Sequence, residues 1–297
     1  MMVREVSESI LRIGRRIKFA TKGVLNLQYP KINLASHLRR FEEDDFLRSA
    51  KKLNCFVSWK STKLTRSHGR AYLSFIENNK DVQFWIFDDK RQDAWMQRHF
   101  SDHPILRVYK GIRFSASKTD IFRLCLLYRY GGVYTGINRV FEVKLTDIYP
   151  DRTKFLISFE KNYFGRERGG SNFIPTDYRN QNVIQHTLFS PAGHKILELS
   201  INKIVAHAPS YNNVVFKSVK QAIWDFSAPY LLTRVVDEYL DTYGTSKIEF
   251  CDYQFGGKCK IPIGAEFRYA ASPSYLGSKN MKILSITSIP IPKQGKL

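Results

Sequence analysis

A mostly parallel sheet flanked by helices, an α/β fold, is the architecture that three observations predict. Short apolar strands such as CFVSW (55–59) and VQFWIFDD (82–89) alternate with helical stretches, the rhythm of βαβ units. A well-marked helix, SASKTDIFRLCLLYRYGG (115–132), leads at once into another apolar strand. Hydrophobic residues make up 43% of the 297 positions and aromatics 14%, enough to pack one large core.

The elements follow in chain order. Val3, Val6, Ile10, Ile13 and Ile17 recur at three- and four-residue steps, with Arg12, Arg15, Arg16 and Lys18 between them, the pattern of a basic amphipathic helix. Such a helix can dock on its own domain, pair with a copy of itself or lie on an anionic membrane. Residues 1–50 are therefore expected to form a basic N-terminal helical extension, and 51–297 a single α/β domain. After the strand at 55–59 a polar helix runs to Asn79, and the next strand ends in Asp88 and Asp89, which are placed to face a pocket at the strand end or, as the favoured reading, to start a turn. In the helix that follows, Ser117 is the expected cap. Ile121, Leu124, Cys125 and Tyr128 share one face, and Gly131 stops it. VYTGINRVFEV (133–143) reads as one strand and KFLISFE (154–160) as another. ERGGSNFIPTDYRNQN (167–182) reads as a polar loop that offers Asp177, and AGHKILELSINKIVAHA (192–208) as a helix opened by His194. Residues 259–297 form an irregular, lysine-rich tail.

Charge narrows the partners. Lys and Arg number 47 against 27 Asp and Glu, a formal +20, which favours anions: nucleic acid, acidic lipid, nucleotide diphosphates or anionic glycans. No DNA- or RNA-binding module is recognisable, so nucleic acid is not the expected main partner. The four cysteines (55, 125, 251, 259) form no CxxC pair. Cys125 reads as a core thiol, while Cys251 and Cys259 are either reduced or paired across a loop. With no run of about 18 apolar residues and no secretory h-region, the chain is expected to be cytoplasmic, soluble or held peripherally at a membrane surface. GxSxG, Walker A and GxGxxG motifs are absent, and the seven histidines show no HxxxH or HxH spacing, which removes hydrolase, NTPase, dehydrogenase and histidine–metal readings.

Within the capped helix, Asp120 and Arg123 stand three residues apart and so share a face. The carboxylate is suited to a ribose or sugar hydroxyl, and the guanidinium to a phosphate or sugar oxygen. The competing account is an exposed i,i+3 ion pair worth only a few tenths of a kcal/mol. From Ala116 onward, Asp120, Arg123, Leu127, Tyr128, Gly131, Gly132 and Tyr134 fall in an ungapped register. That register resembles the core of the family 32 glycosyltransferases with a DXD sugar-binding region. Looser similarities in the same order extend over roughly 53–236: FVSWKS around Trp59, LFSPAGHKILELSINKI, and FSAPYLLTRVV with Ala228 where the family has Gly.

The resemblance implies a GT-A-like (Rossmann-like) fold, a UDP- or GDP-hexose donor, Mn²⁺ or Mg²⁺, and transfer with retention to a glycan, lipid-linked or protein acceptor. Trp59 would hold the base, Asp120 and Arg123 the ribose, sugar or phosphates, and Tyr134 would line the donor pocket. The DXD positions, however, are Gly136 and Asn138. Gly136 brings no side-chain ligand and Asn138 one neutral oxygen, whereas a hard divalent cation needs several oxygens. Three outcomes follow from this. Basic side chains such as Arg139 replace the cation in an active transferase; a nucleotide sugar is bound without turnover, as in a pseudoenzyme scaffold; or the pocket is vestigial and the basic surface does the work.

Overall fold

The computed structural model describes residues 31–43, 46, 52–160, 181–265, 275 and 278–287. The expected basic helix at 3–20 and Asp177 lie outside these residues. The elements described first are β1 (Ile32–Asn33), β2 (Arg39–Arg40), β3 (Leu53–Ser58), β4 (Lys63–Leu64) and α1 (Arg66–Glu77). The central stretch runs β5 (Val82–Phe87), α2 (Asp89–His99), α3 (Pro104–Gly111), α4 (Ser115–Tyr130), β6 (Gly132–Thr135), β7 (Val140–Phe141), α5 (Leu145–Ile148) and β8 (Phe155–Ile157). Then follow β9 (Thr187–Ser190), α6 (Lys195–Tyr211), β10 (Val215–Phe216), α7 (Val219–Phe226), α8 (Pro229–Tyr243), β11 (Ile248–Phe250), β12 (Cys259–Lys260) and β13 (Met281–Lys282).

A seven-stranded sheet in the order β11-β8-β9-β6-β3-β5-β2 forms the centre. Every neighbouring pair is parallel except the two that β9 makes with β6 and β8. Alternation along the strands sorts the core into two layers. Phe56, Trp85, Phe87, Tyr134 and Leu188 turn to the face covered by α2, α4, α6, α7 and α8. Cys55, Val57, Phe84, Ile86, Val133 and Phe189 turn to the face where α1 brings Tyr72, Phe75 and Ile76. Burial on both sides explains why LNCFVS and VQFWIF are nearly continuous apolar runs.

Several expectations are refined. The edge strand β2 and the buried Leu34, Leu38, Phe41 and Phe46 belong to this body, so its packing begins well before residue 50. Helix α4 starts at Ser115, two residues before the expected cap, and has no side-chain cap. Ser117 is instead fully buried inside it, 2.8 Å from the Ser227 hydroxyl. The predicted single strand 133–143 is broken: β6 ends at Thr135, and the Arg139 N–H closes a turn onto Gly136 O at 2.8 Å. All four cysteines are free thiols, which settles Cys251 and Cys259 as unpaired. No helix among the described residues is long and apolar enough to cross a membrane.

Gly131 and Gly132 show why the helix must stop where it does. Their φ angles are +64° and +94°, a region that favours glycine. A Cβ on Gly131 would sit 2.6 Å from Ala192 N, and one on Gly132 2.6 Å from Asn54 O. The glycines therefore let α4 hand over directly to β6 between two backbones.

Candidate active site

Strands β3 and β6 are parallel neighbours, with Phe56 opposite Tyr134. Their carboxyl ends therefore deliver Trp59 and the 136–139 turn to the same edge of the sheet, where ligands of such folds gather. Trp59 is half-buried, with its N–H on Phe87 O at 3.0 Å and Lys60 Nζ 5.8 Å from its ring centre.

Helix α4 supplies the polar centre. Arg123 reaches Asp120 Oδ1 at 2.9 Å, and the two side chains are only 11% and 12% exposed, so this is an interior pair and not a solvated helix face. Arg123 also donates to Gln185 O at 2.5 Å, and its guanidinium lies 4.9 Å from the Tyr134 ring centre. Asp120, Arg123 and Tyr134 are thus brought together as the sequence predicts. Burial lifts the Asp120 carboxyl to about 6, with Arg123 pulling the other way, and burial also raises the Tyr134 hydroxyl.

The turn that replaces the acidic motif is tightly held. Gly136 N–H donates to His186 O at 2.9 Å, continuing the β6–β9 ladder. From α1, the buried His68 Nε2 lies 2.7 Å from Ile137 O, and with the proton on that nitrogen it clamps the middle residue of the turn. Asn138 is buried, and its Oδ1 folds back to 2.8 Å from where a Gly136 Cβ would stand. One neutral oxygen and a glycine do not fit a hard divalent cation. Among the described residues no group of three or more His, Cys, Asp or Glu is placed to hold a metal.

Three contributors were invisible to local spacing. His68 is one; it acts across 69 positions. Gln185 is the second: it is 1% exposed, donates to Ser227 O at 2.8 Å and keeps an unpartnered Oε1. Glu160 is the third, just past β8, where burial raises its carboxyl while Arg139 and Lys220 draw it down. It is the last residue of KFLISFE, a stretch whose pattern marks only a strand. Tyr230 feels the same carboxylate and meets Trp224 edge-on at 5.2 Å.

The remaining candidates are structural. Asp88 caps α2, accepting from Arg91 N–H at 2.9 Å and from its guanidinium at 2.7 Å, and Asp89 begins that helix. His194 caps α6 through Nδ1, which accepts from Ile196 N–H at 3.3 Å.

Residues 65–155 match the family described as a glycosyltransferase sugar-binding region containing a DXD motif. The initiation-specific alpha-1,6-mannosyltransferase of Candida albicans is 25% identical over 205 residues, which cover 63% of this chain and 53% of that protein. The chain thus spans about half the length of this curated relative. A solved structure, the PaToxG glycosyltransferase, superposes with a TM-score of 0.45 at 11% identity, covering 68% of this chain and 76% of that one. The matched region contains Asp120, Arg123, Tyr134 and the altered turn, so the similarity to glycosyltransferases falls on the part of the chain that builds this site.

Proposed function

We propose that this chain transfers a hexose from a UDP- or GDP-sugar to a glycan, lipid-linked or protein acceptor, with retention at the anomeric carbon and without a divalent cation. The observation that carries this reading is the interior Asp120–Arg123–Tyr134 cluster beside the Gly136–Arg139 turn. Mannose is the first sugar to test, because the Candida albicans relative is named a mannosyltransferase.

In the proposed reaction the bond from the anomeric carbon to the diphosphate oxygen breaks, and the acceptor hydroxyl oxygen bonds to that carbon on the face the diphosphate leaves, which retains the configuration. The nucleoside diphosphate leaves with the electron pair. Trp59 stacks on the base, Asp120 accepts hydrogen bonds from hydroxyls, and Arg123 holds donor oxygens. Arg139 and Lys220 take the electrostatic role that the family gives to Mn²⁺ or Mg²⁺. Glu160, with its carboxyl raised by burial, is suited to accept the proton of the attacking hydroxyl.

Transfer from labelled GDP-mannose and UDP-hexoses to a panel of oligosaccharides and polyprenyl-linked sugars, run in EDTA, tests the reading. Glycoside formation that falls ~10²–10⁴-fold in Glu160→Gln with donor binding retained is the expected result. A second reading, nucleotide-sugar binding without turnover, is favoured by the lost ligands at Gly136 and Asn138. It predicts tight donor binding with no product under any condition.

A further inference from the structure

Six large apolar side chains are exposed among the described residues, and three of them, Val214 at 39%, Val215 at 56% and Met281 at 36%, sit on or beside one small ribbon, β10 paired antiparallel with β13. The two segments that build it, 211–219 and 278–287, contain Lys217, Lys279 and Lys282 and neither Asp nor Glu. Exposed Arg113 joins them, since its N–H donates to Ile283 O at 3.0 Å.

The ribbon is built rigidly. Asn212 accepts from Ile286 N–H at 2.9 Å and donates to Ile286 O at 3.1 Å, and Ser285 N–H donates to Gly111 O at 3.0 Å. Ile283 and Leu284 are fully buried beneath it. Asn213 and Asn280, at φ +60° and +53°, turn the chain at one end of each strand. Apolar side chains are therefore presented to solvent by an anchored element, within a ring of cations that no acid from either segment neutralises.

We propose that this ribbon is a membrane-contact surface, which lays Val214, Val215 and Met281 into the interface of an anionic bilayer while the lysines and Arg113 meet the headgroups. Apolar side chains among cations are the combination that binds such surfaces. An acidic protein partner would match the charge but leave the apolar side chains without a purpose, and nucleic acid would do the same. The proposal does not depend on the transfer reaction.

Flotation of the full chain with phosphatidylcholine vesicles, with and without phosphatidylglycerol, tests it. Binding is expected only with phosphatidylglycerol and is weakened by salt. Lys217→Glu with Lys282→Glu should lower partitioning at least ~25-fold, about five-fold per lysine. Val215→Asp with Met281→Asp should lower it ~10-fold or more. All four positions lie at the surface of the ribbon, and unchanged melting curves verify that the variants fold; Lys217→Glu alone provides a milder arm. Inorganic phosphate and glycerophosphate at equal charge should not compete. The proposal is overturned by failure to float, by binding that both double variants leave intact, by loss only in a control, Ile263→Asp, at the exposed Ile261 and Ile263 outside the ribbon, or by full competition from the free phosphates.

Discussion

Asp120 is a carboxyl held near 6 by burial, and its ionised form is the one that accepts hydrogen bonds from a sugar. Donor affinity should therefore rise with pH through about 6 and level off above it, and calorimetry on Asp120→Asn should show that dependence gone. Stability runs the other way: the folded state holds this proton more tightly than the unfolded one, so the contribution of Asp120 falls as pH rises from about 4 to about 6. His194 has the opposite sign. Burial depresses it to about 4, so the unfolded chain takes up its proton first, and stability drops by up to about 3 kcal/mol as pH falls from about 6.5 to about 4. Melting curves of His194→Asn, which keeps a capping side chain, should lose most of that acid sensitivity. The Asp120–Arg123 pair was legible because i,i+3 spacing on a helix is local. His68 and Glu160 were not, because their partners come from other elements and no spacing encodes them.

The Gly-Gly stop and the turn after β6 decide how the site is framed. Gly131→Ala would put a Cβ 2.6 Å from Ala192 N at φ +64°, and should destabilise the fold by well over ~1 kcal/mol in denaturant titration. At Gly136 the obstacle is milder, since a Cβ meets only the movable Asn138 Oδ1. Gly136→Asp combined with Asn138→Asp should fold and gain Mn²⁺-dependent donor hydrolysis; continued indifference to Mn²⁺ would mean that more than the motif has diverged. The strand–helix rhythm from 55 to 130 could be read because each element carries its own period. The break at 136 could not, since VYTGINRVFEV keeps apolar residues on both sides of a turn set by hydrogen bonds to His186 O and His68. The two-residue β2 is too short to have any period.

Across the chain, a +20 charge, with Arg123 in the buried cluster of α4 and with Arg139 and Lys220 acting on Glu160, describes a body suited to anionic ligands. The fold class was readable from alternation and composition. The division between extension and domain was not, because Leu34, Leu38 and Phe41 enter the core from a segment without a clear pattern. The proposed transfer requires a nucleotide-sugar site that works without the cation ligands missing at Gly136 and Asn138. Calorimetry with GDP-mannose and UDP-hexoses, in EDTA and then with Mn²⁺, tests it most directly. Saturable binding in EDTA, unchanged by Mn²⁺ and lost in Arg139→Met with Lys220→Met, is predicted; binding that appears only with Mn²⁺, or none with any donor, would contradict it.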